Sequence, residues 1–274
     1  MDLLNRVFRF YINSSIHVSL AVCALVALSV LEYSISVSFY FWGFVFFGSI
    51  SGYNFVKYAE VAGLHHRSLA QSLKTIQIFS FFCFAVLLYC VFHVNLKVLF
   101  ASGILGLFTL CYAVPVLKGK SFRTINGLKI YIVALVWAGV TVILPLIASE
   151  ENLHSDHWIS FVQRAMIVLV LTLPFEIRDL KYDVKSLGTI PQKLGILNTK
   201  ILGTAILVST LILEIVKTER EFSYTGSLFF LGVLLVGALW ASRKEQSTYF
   251  ASFWVEGIPL VWLGVYCLLR QFLL

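Results

Sequence analysis

Long apolar runs separated by short polar stretches dominate the sequence. Each run has about the 20 residues that an α-helix needs to cross the hydrocarbon core of a bilayer. The pattern predicts nine membrane-spanning helices, over residues 15–31, 36–58, 75–94, 98–117, 127–148, 158–177, 197–216, 224–241 and 249–273. The polar stretches between the runs are short, so we expect one domain over residues 1–274 and no linker.

Composition agrees with this pattern. Hydrophobic residues make up 59% of the chain and charged residues only 13%, with a mean hydropathy of +0.88, whereas about 25% of residues are charged in a typical soluble domain. We therefore predict an all-α polytopic protein of the lipid bilayer. The cysteines lie within apolar runs without CxxC spacing, which favours buried thiols over disulfides or a metal site. They are Cys23, Cys83, Cys90, Cys111 and Cys267.

Lys and Arg are concentrated in alternate polar stretches. One set comprises residues 6–9, 65–74, 118–123, 178–200 and 243–244, while the opposite stretches are acidic, mixed or sparsely charged. Because Lys and Arg mark the cytoplasmic side of membrane proteins, we predict a cytoplasmic N-terminus and an exterior C-terminus. The net charge of +7 then reports topology and indicates no nucleic-acid partner. We expect a bacterial inner membrane, with the polar chemistry facing the cytoplasm.

The end of the sixth apolar run carries three carboxylates on one predicted helical face. Glu176, Asp179 and Asp183 stand at i, i+3 and i+7. The spacing of Asp179 and Asp183 leaves room for a hydrated Mg²⁺, which is usually shared between one or two carboxylates and substrate phosphates. The pattern therefore predicts a diphosphate site. The alternative is an ion-pair cluster at the membrane surface, formed with the basic neighbours Arg178, Lys181 and Lys185.

Residues 178–195, with the sequence RDLKYDVKSLGTIPQKLG, resemble the second signature of the UbiA superfamily of intramembrane prenyltransferases. That signature is a DxxxD pair followed by a tail that contains glycine and proline. In this chain the pair is Asp179 and Asp183. The tail residues are Gly188, Thr189, Pro191, Leu194 and Gly195. The predicted nine-helix bundle, with its even-numbered loops inside, also matches the architecture of that family.

The resemblance implies an enzyme that transfers a prenyl group from a polyprenyl diphosphate to a lipophilic, often aromatic, acceptor with the help of Mg²⁺. It implies that Asp179 and Asp183 hold the metal and are catalytic, with Glu176 assisting. The candidates for diphosphate binding are Asn54, Lys57, Tyr112, Lys118 and Arg178. Tyr112 and Lys118 are carried over from the family. Lys118 also fits a purely topological role, as one of the basic residues that mark the inner side.

The first signature of the family, NDxxDxxxD, is degenerate here. When Asn54 is aligned with its asparagine, the three aspartates fall on Phe55, Tyr58 and Ala62. We hypothesise that Lys57 places a fixed positive charge where a metal ion would sit, and so replaces part of one Mg²⁺ in holding a phosphate or an anionic acceptor. The alternative is that Asn54, Lys57 and Glu60, three apart on one face, satisfy one another.

Arg164 and Glu256 are predicted to lie deeper in the membrane, where ionisable residues are functional candidates by default. Lys129 begins the fifth run and either extends to the inner headgroups or points into the bundle. Three functions stay open: a prenyltransferase with one Mg²⁺, a catalytically degenerate protein of the same fold that binds a prenyl lipid or scaffolds a pathway partner, and a transporter or channel. The crowding of ionisable residues at one interface disfavours the transporter.

Overall fold

The computed structural model describes residues 2–58, 70–113, 127–182 and 187–273. Within these ranges the chain forms helices and no strands, which confirms the predicted all-α class. The helices are α1 (Asp2–Asn13), α2 (Ile16–Glu32), α3 (Phe39–Tyr58), α4 (Ala70–Val91), α5 (Leu96–Ala113), α6 (Lys129–Ala138), α7 (Leu144–Ala148), α8 (Ser155–Asp179), α9 (Ile190–Val216), α10 (Phe222–Ala241) and α11 (Ile258–Leu273). A π-helical segment, Gly139–Ile143, joins α6 to α7, and another, Phe250–Val255, precedes α11.

Among the described residues, seven helical segments are long and apolar enough to cross a membrane. They are Lys74–Val91, Leu96–Ala113, Lys129–Ala148, Ser155–Asp179, Ile190–Val216, Phe222–Ala241 and Phe250–Phe272. An eighth span results if α1 and α2, which bend by 54° at their junction, count as one. The chain is therefore a multi-pass membrane protein, as predicted.

The predicted count of nine crossings is not exact. Each of the nine predicted runs contains a described helix, but two of these helices fall short as independent spans. Helix α2 has only 17 residues. Helix α3 has 20 residues, but polar side chains in its second half, including Asn54 and Lys57, leave it less apolar than the seven full spans.

A separate N-terminal helix, α1, precedes the first predicted run. Its residues Leu3, Leu4 and Val7 are largely exposed, while Arg6 and Arg9 supply positive charge. Exposed apolar residues combined with basic ones are typical of helices that lie along a membrane surface. The composition of α1 therefore favours a position in the interface, at an angle to α2.

Helix α8 holds the centre of the bundle. It packs against α6, α9 and α10, and its buried face includes Ile167, Leu171 and Leu173. Gly203 on α9 allows a close approach to this face, because a Cβ atom there would lie 2.5 Å from Leu239 Cδ2 and 2.8 Å from Leu173 Cδ1. Any larger residue at position 203 requires its neighbours to shift. Tight packing thus fixes the position of α8 and of the carboxylates at its end.

Helices α4 and α5 form an outer wall of the bundle. Only 17% of the α4 span and 11% of the α5 span are buried. Phe81 on α4 and Phe100 on α5 project outward from this wall with most of their surface exposed. In a bilayer, such an apolar surface contacts acyl chains.

Asp179 lies at one end of α8. At the opposite end of α8, Lys217 joins three helices. Its Nζ lies 2.7 Å from Glu32 Oε1, at the end of α2, and 2.8 Å from Glu214 Oε2 on α9. All three side chains are at most 7% exposed. Thr225 on α10 donates a hydrogen bond to Glu214 Oε1 (3.2 Å).

Two residues on the first half of α8 extend this buried network. Gln163 Nε2 donates to Glu214 Oε2 (3.1 Å) and to the Thr210 carbonyl (2.8 Å). Arg164, which is only 1% exposed, donates from Nη1 to the Leu25 carbonyl (2.7 Å) and lies over the Trp262 ring. The deep position of Arg164 thus serves the contact between α2, α8 and α11, away from the predicted diphosphate site.

Candidate functional site

The C-terminal end of α8 carries the predicted carboxylates, and each described one has a cationic partner. Glu176 is buried, and its Oε1 lies 2.9 Å from Nζ of Lys129, the first residue of α6. Lys129 also interacts electrostatically with Asp179 and Tyr112. Of the two orientations that the sequence left open, the structure points Lys129 into the bundle.

Asp179 is bound by its sequence neighbour. Arg178 holds it through two hydrogen bonds, Nε to Oδ1 (2.7 Å) and Nη2 to Oδ2 (3.3 Å). Both side chains are about one-quarter exposed, at 28% and 23%. The Arg178 guanidinium also lies over the Phe175 ring. An arginine guanidinium pairs with phosphate in the same bidentate geometry as with a carboxylate.

The backbone after α8 shows why the first position of the predicted tail is a glycine. Gly188 (φ 53°) and Gly127 (φ 71°) both adopt left-handed conformations that favour glycine. The Gly127 N–H donates to the Leu187 carbonyl (3.0 Å). A Cβ atom at Gly127 would lie only 3.1 Å from the Gly188 carbonyl oxygen. Leu187 and Gly188 therefore lie closely against Gly127, just before α6.

The rest of the tail begins α9. The Thr189 N–H donates to Gln192 Oε1 (3.2 Å), and Pro191 lies in the first turn, where a helix needs no N–H donor. Gly195 (φ 78°) kinks α9 shortly afterwards. Leu194 is exposed. The tail thus shapes the backbone beside the carboxylates rather than supplying side chains with acid–base chemistry.

A small cleft lies between these elements. Lys129 and Glu176 line it from α6 and α8, and Leu187 and Thr189 line it from the connecting segment. The cleft brings a cation, a carboxylate and a turn of irregular backbone together. A lysine ammonium is a common partner of phosphate oxygens in proteins, which makes this cleft a candidate for phosphate binding.

Asn54 has a structural partner at each end of its amide. Ser15 Oγ donates to its Oδ1 (2.8 Å), and its Nδ2 donates to the Ser14 carbonyl (3.1 Å) and to Ser80 Oγ (2.8 Å). The side chain is only 3% exposed. In this arrangement Asn54 joins α3 to α4 and to the α1–α2 junction, and its role in diphosphate binding stays a prediction.

Lys57 lies at the exposed end of α3. Its Nζ donates to the Asn13 carbonyl (3.1 Å), which also accepts a hydrogen bond from the Tyr58 hydroxyl (2.9 Å). A single backbone carbonyl leaves the ammonium with capacity for further acceptors. The predicted mutual pairing with Glu60 lies outside the described residues, as do Asp183, Lys118 and Lys185. Tyr112 is described and buried on α5, beside Lys129.

The described carboxylates suit Mg²⁺ only in part. Asp179 supplies the hard oxygen donors that Mg²⁺ prefers, and one or two carboxylates suffice when phosphates and waters complete the coordination. No group of three potential ligands from His, Cys, Asp and Glu occurs in the part of the chain that the structure describes. Arg178 would have to release Asp179 to make room. Asp179 therefore fits a Mg²⁺ whose remaining ligands would be phosphates and waters.

Several solved structures have a similar arrangement of helices. A UbiA homologue from Aeropyrum pernix K1 matches with a TM-score of 0.66 and 14% identity, covering 93% of this chain and 98% of that one. A UbiA homologue from Archaeoglobus fulgidus bound to GPP and Mg²⁺ matches with a TM-score of 0.60 and 12% identity, covering 94% and 99%. A digeranylgeranylglyceryl phosphate synthase structure matches with a TM-score of 0.57 and 17% identity, covering 98% and 97%.

Sequence comparison alone adds nothing to these matches, since no protein-family profile and no curated protein sequence matches the chain. The structural matches extend over almost the whole chain rather than over one motif. At identities of 10–17% they establish the arrangement of the helices. The fold implied by the resemblance of residues 178–195 is thereby confirmed: the chain has the all-α membrane fold of the UbiA superfamily.

Proposed function

We propose that the chain is a membrane prenyltransferase that transfers a prenyl group from a polyprenyl diphosphate to a lipophilic acceptor. One observation carries this proposal. In a bundle of the UbiA fold, two carboxylates and two cationic side chains meet where the glycine-containing segment follows α8. The homologue structures bound to GPP or DMAPP and Mg²⁺ support a prenyl diphosphate as the substrate class.

The charges at the end of α8 suit the departure of a diphosphate. Negative charge grows on the leaving group as the allylic C–O bond breaks, and fixed cations stabilise that change. Arg178 and Lys129 are placed to donate hydrogen bonds to phosphate oxygens, while Asp179 and Glu176 orient them before the substrate binds. Mg²⁺, held by Asp179 and by Asp183, would supply Lewis-acid stabilisation of the same leaving group.

The bundle also suits the allylic cation that remains. This cation must be captured by the acceptor and not by water, so it needs a dry apolar chamber. The buried residues around α8 are largely apolar, and the ion pairs of Glu176 with Lys129 and of Glu32 with Lys217 lie near its two ends. We further propose that residues 1–274 act as one domain whose site faces the cytoplasm of a bacterial inner membrane.

A catalytically degenerate protein that binds a prenyl lipid is the second candidate, and two observations favour it. The first aspartate signature is missing around Asn54. Arg178 and Lys129 already neutralise Asp179 and Glu176. Such pairing would give a site that binds a prenyl diphosphate without breaking its allylic C–O bond.

The deciding experiment incubates the purified chain with labelled geranyl diphosphate and a lipophilic phenol over a range of Mg²⁺ concentrations. The enzyme proposal expects release of diphosphate that rises with Mg²⁺ and stops when the metal is chelated. Binding of geranyl diphosphate that is independent of Mg²⁺, with no diphosphate released, would instead support the degenerate protein. If the chain neither binds geranyl diphosphate nor releases diphosphate, both proposals are refuted.

Lys57 provides a separate prediction. If its ammonium replaces part of the missing first metal cluster, Lys57→Ala should weaken binding of geranyl diphosphate about tenfold, in the range of one lost charge-assisted hydrogen bond. Lys57→Arg keeps the positive charge and should bind within a few-fold of the unmodified chain. Equilibrium binding of the labelled diphosphate measures both variants. Unchanged affinity in Lys57→Ala would show that this lysine only anchors the Asn13 carbonyl.

A further inference from the structure

Glu256 is a membrane-embedded carboxylate that the proposed diphosphate site does not use. It lies within the span Phe250–Phe272, between the π-helical segment Phe250–Val255 and α11. Its side chain is partly exposed, and it forms no hydrogen bond or ion pair within the described ranges of the chain. An acid in such a position is costly and usually faces a cavity or a partner. Because the Glu256 carboxylate has no fixed partner among the described residues, we infer that a ligand binds to it.

The backbone around Glu256 holds it in a defined place. The Glu256 N–H donates to the Ala251 carbonyl (3.1 Å), which is the wider hydrogen bonding of a π-helix. The next residue, Gly257, is closely packed, because a Cβ atom there would lie 2.8 Å from the Phe253 carbonyl oxygen of the preceding turn and 3.4 Å from His17 Nε2 on α2. Single π-turns inside helices occur frequently at functional sites, since they re-aim one side chain.

Aromatic hydroxyls and a histidine surround this place, and each already has a partner. Tyr11 OH is hydrogen-bonded to His17 Nδ1 (2.8 Å), and His17 Nε2 to the Phe253 carbonyl (2.9 Å). Tyr53 OH accepts a hydrogen bond from Trp137 Nε1 (2.5 Å). These hydroxyls interact electrostatically with Glu256 but are not bonded to it. The carboxylate is therefore left to accept a proton or a hydrogen bond from a ligand.

Two cations relate Glu256 to the diphosphate end of the bundle. Lys57 on α3 and Arg178 on α8 both interact electrostatically with its carboxylate. Neither forms an ion pair with it in the described part of the chain: the Lys57 ammonium donates to the Asn13 carbonyl, and Arg178 holds Asp179. Glu256 thus lies within reach of the charges that we assign to the diphosphate, on a different helix from the metal-binding aspartates.

We propose that Glu256 binds the hydroxyl of the acceptor and takes its proton during transfer, which rests on the proposed function. The allylic C–O bond of the prenyl diphosphate breaks with its electron pair remaining on the diphosphate. A lone pair of the acceptor oxygen forms the new C–O bond to the prenyl group. The acceptor proton passes to the Glu256 carboxylate and then to water. The acceptor class is a lipophilic alcohol or phenol with one free hydroxyl.

The test measures binding of 2-naphthol to the full chain in detergent, without metal or prenyl diphosphate. Glu256→Gln should weaken binding of 2-naphthol about tenfold, because the charged acceptor of the hydroxyl proton is lost. Binding of 2-methoxynaphthalene, which has no hydroxyl, should be the same in both proteins. The absorption of 2-naphthol should shift to longer wavelength when it binds the unmodified chain, and this shift should be absent in Glu256→Gln.

Two variants separate this site from general structural effects. Glu256→Asp keeps a carboxylate and should retain part of the affinity and of the spectral shift. Glu245→Gln makes the same chemical change at an exposed glutamate and should leave both unchanged. Equal binding of 2-naphthol by the unmodified chain and Glu256→Gln would overturn the proposal, as would a parallel loss of 2-methoxynaphthalene binding. Because the assay contains no diphosphate, its outcome is independent of the diphosphate-release experiment.

Discussion

Replacing Asp179 with asparagine should abolish Mg²⁺-dependent binding of geranyl diphosphate. The amide would keep the size of the side chain but lose the negative charge that a hard cation requires. The change also removes the bidentate partner of Arg178, whose two hydrogen bonds to Asp179 are 2.7 and 3.3 Å long. We expect a loss of affinity on the order of 100-fold in the presence of metal, or about 2.8 kcal/mol at 1.4 kcal/mol per tenfold.

The metal dependence of this loss makes the experiment decisive. Equilibrium binding of the labelled diphosphate is measured with saturating Mg²⁺ and again with a chelator. Asp179→Asn should lose affinity only when metal is present; without Mg²⁺ it should bind the diphosphate at least as well as the unmodified chain, because the freed Arg178 can still attract phosphate. Glu245→Gln, an exposed carboxylate-to-amide change, is the matched control. Equal metal-dependent affinity in Asp179→Asn and the unmodified chain would exclude Asp179 as a ligand.

The sequence predicted much of the fold because membrane helices are encoded locally. Apolar runs located a helix in each of the nine predicted places, since the bilayer imposes the same length on every span. The short amphipathic helix α1 was missed, because 12 residues with mixed polarity do not form a long apolar run. The count of nine crossings was inexact for a different reason. Helix α3 is helical as predicted, but its polar residues serve contacts such as that of Asn54 with Ser80 and leave it less apolar than a full span.

The partners of the candidate site could not be read from the sequence. The spacing of Glu176 and Asp179 placed both at the end of one helix, and the structure agrees. Their neighbours depend on tertiary packing. Lys129 reaches Glu176 only because α6 packs against α8, and Gly127 meets Gly188 only because the segments before α6 and α9 are adjacent. The one signal in the sequence for the contact with Glu176 was a lysine at the start of an apolar run. That signal was compatible with two orientations of the lysine side chain.

The second large effect is expected far from this site, at Lys217. Lys217→Met should destabilise the protein by about 3–5 kcal/mol, the usual consequence of removing one partner from a buried ion pair. Glu32 and Glu214 would be left facing each other in the interior without the ammonium that now lies 2.7 and 2.8 Å from them. The midpoint of thermal unfolding in detergent should fall by roughly 10 °C. Lys97→Met, at an exposed lysine, should leave it nearly unchanged.

The pKa of Lys217 defines the pH range over which this contribution operates. Burial lowers its pKa, but attraction to Glu32, Tyr33 and Glu214 outweighs burial and raises it above the ordinary value of 10.5. A raised pKa in the folded state means that the stabilisation is fully present below the ordinary value and is lost only as the pH rises through the higher folded-state value. The difference in unfolding midpoint between Lys217→Met and the unmodified chain should therefore persist throughout the neutral range.

A combined variant tests the cause of the instability. If Lys217→Met acts by stranding two buried carboxylates, then adding Glu32→Gln and Glu214→Gln should restore part of the lost stability, because neutral amides cost less to bury than unpaired charges. If the lysine mainly fills space between α2, α9 and α10, the three substitutions should be no more stable than Lys217→Met alone. Recovery would mean that the end of the bundle remote from Asp179 is held by compensated charge, in contrast to the exchangeable pairs proposed to receive a diphosphate.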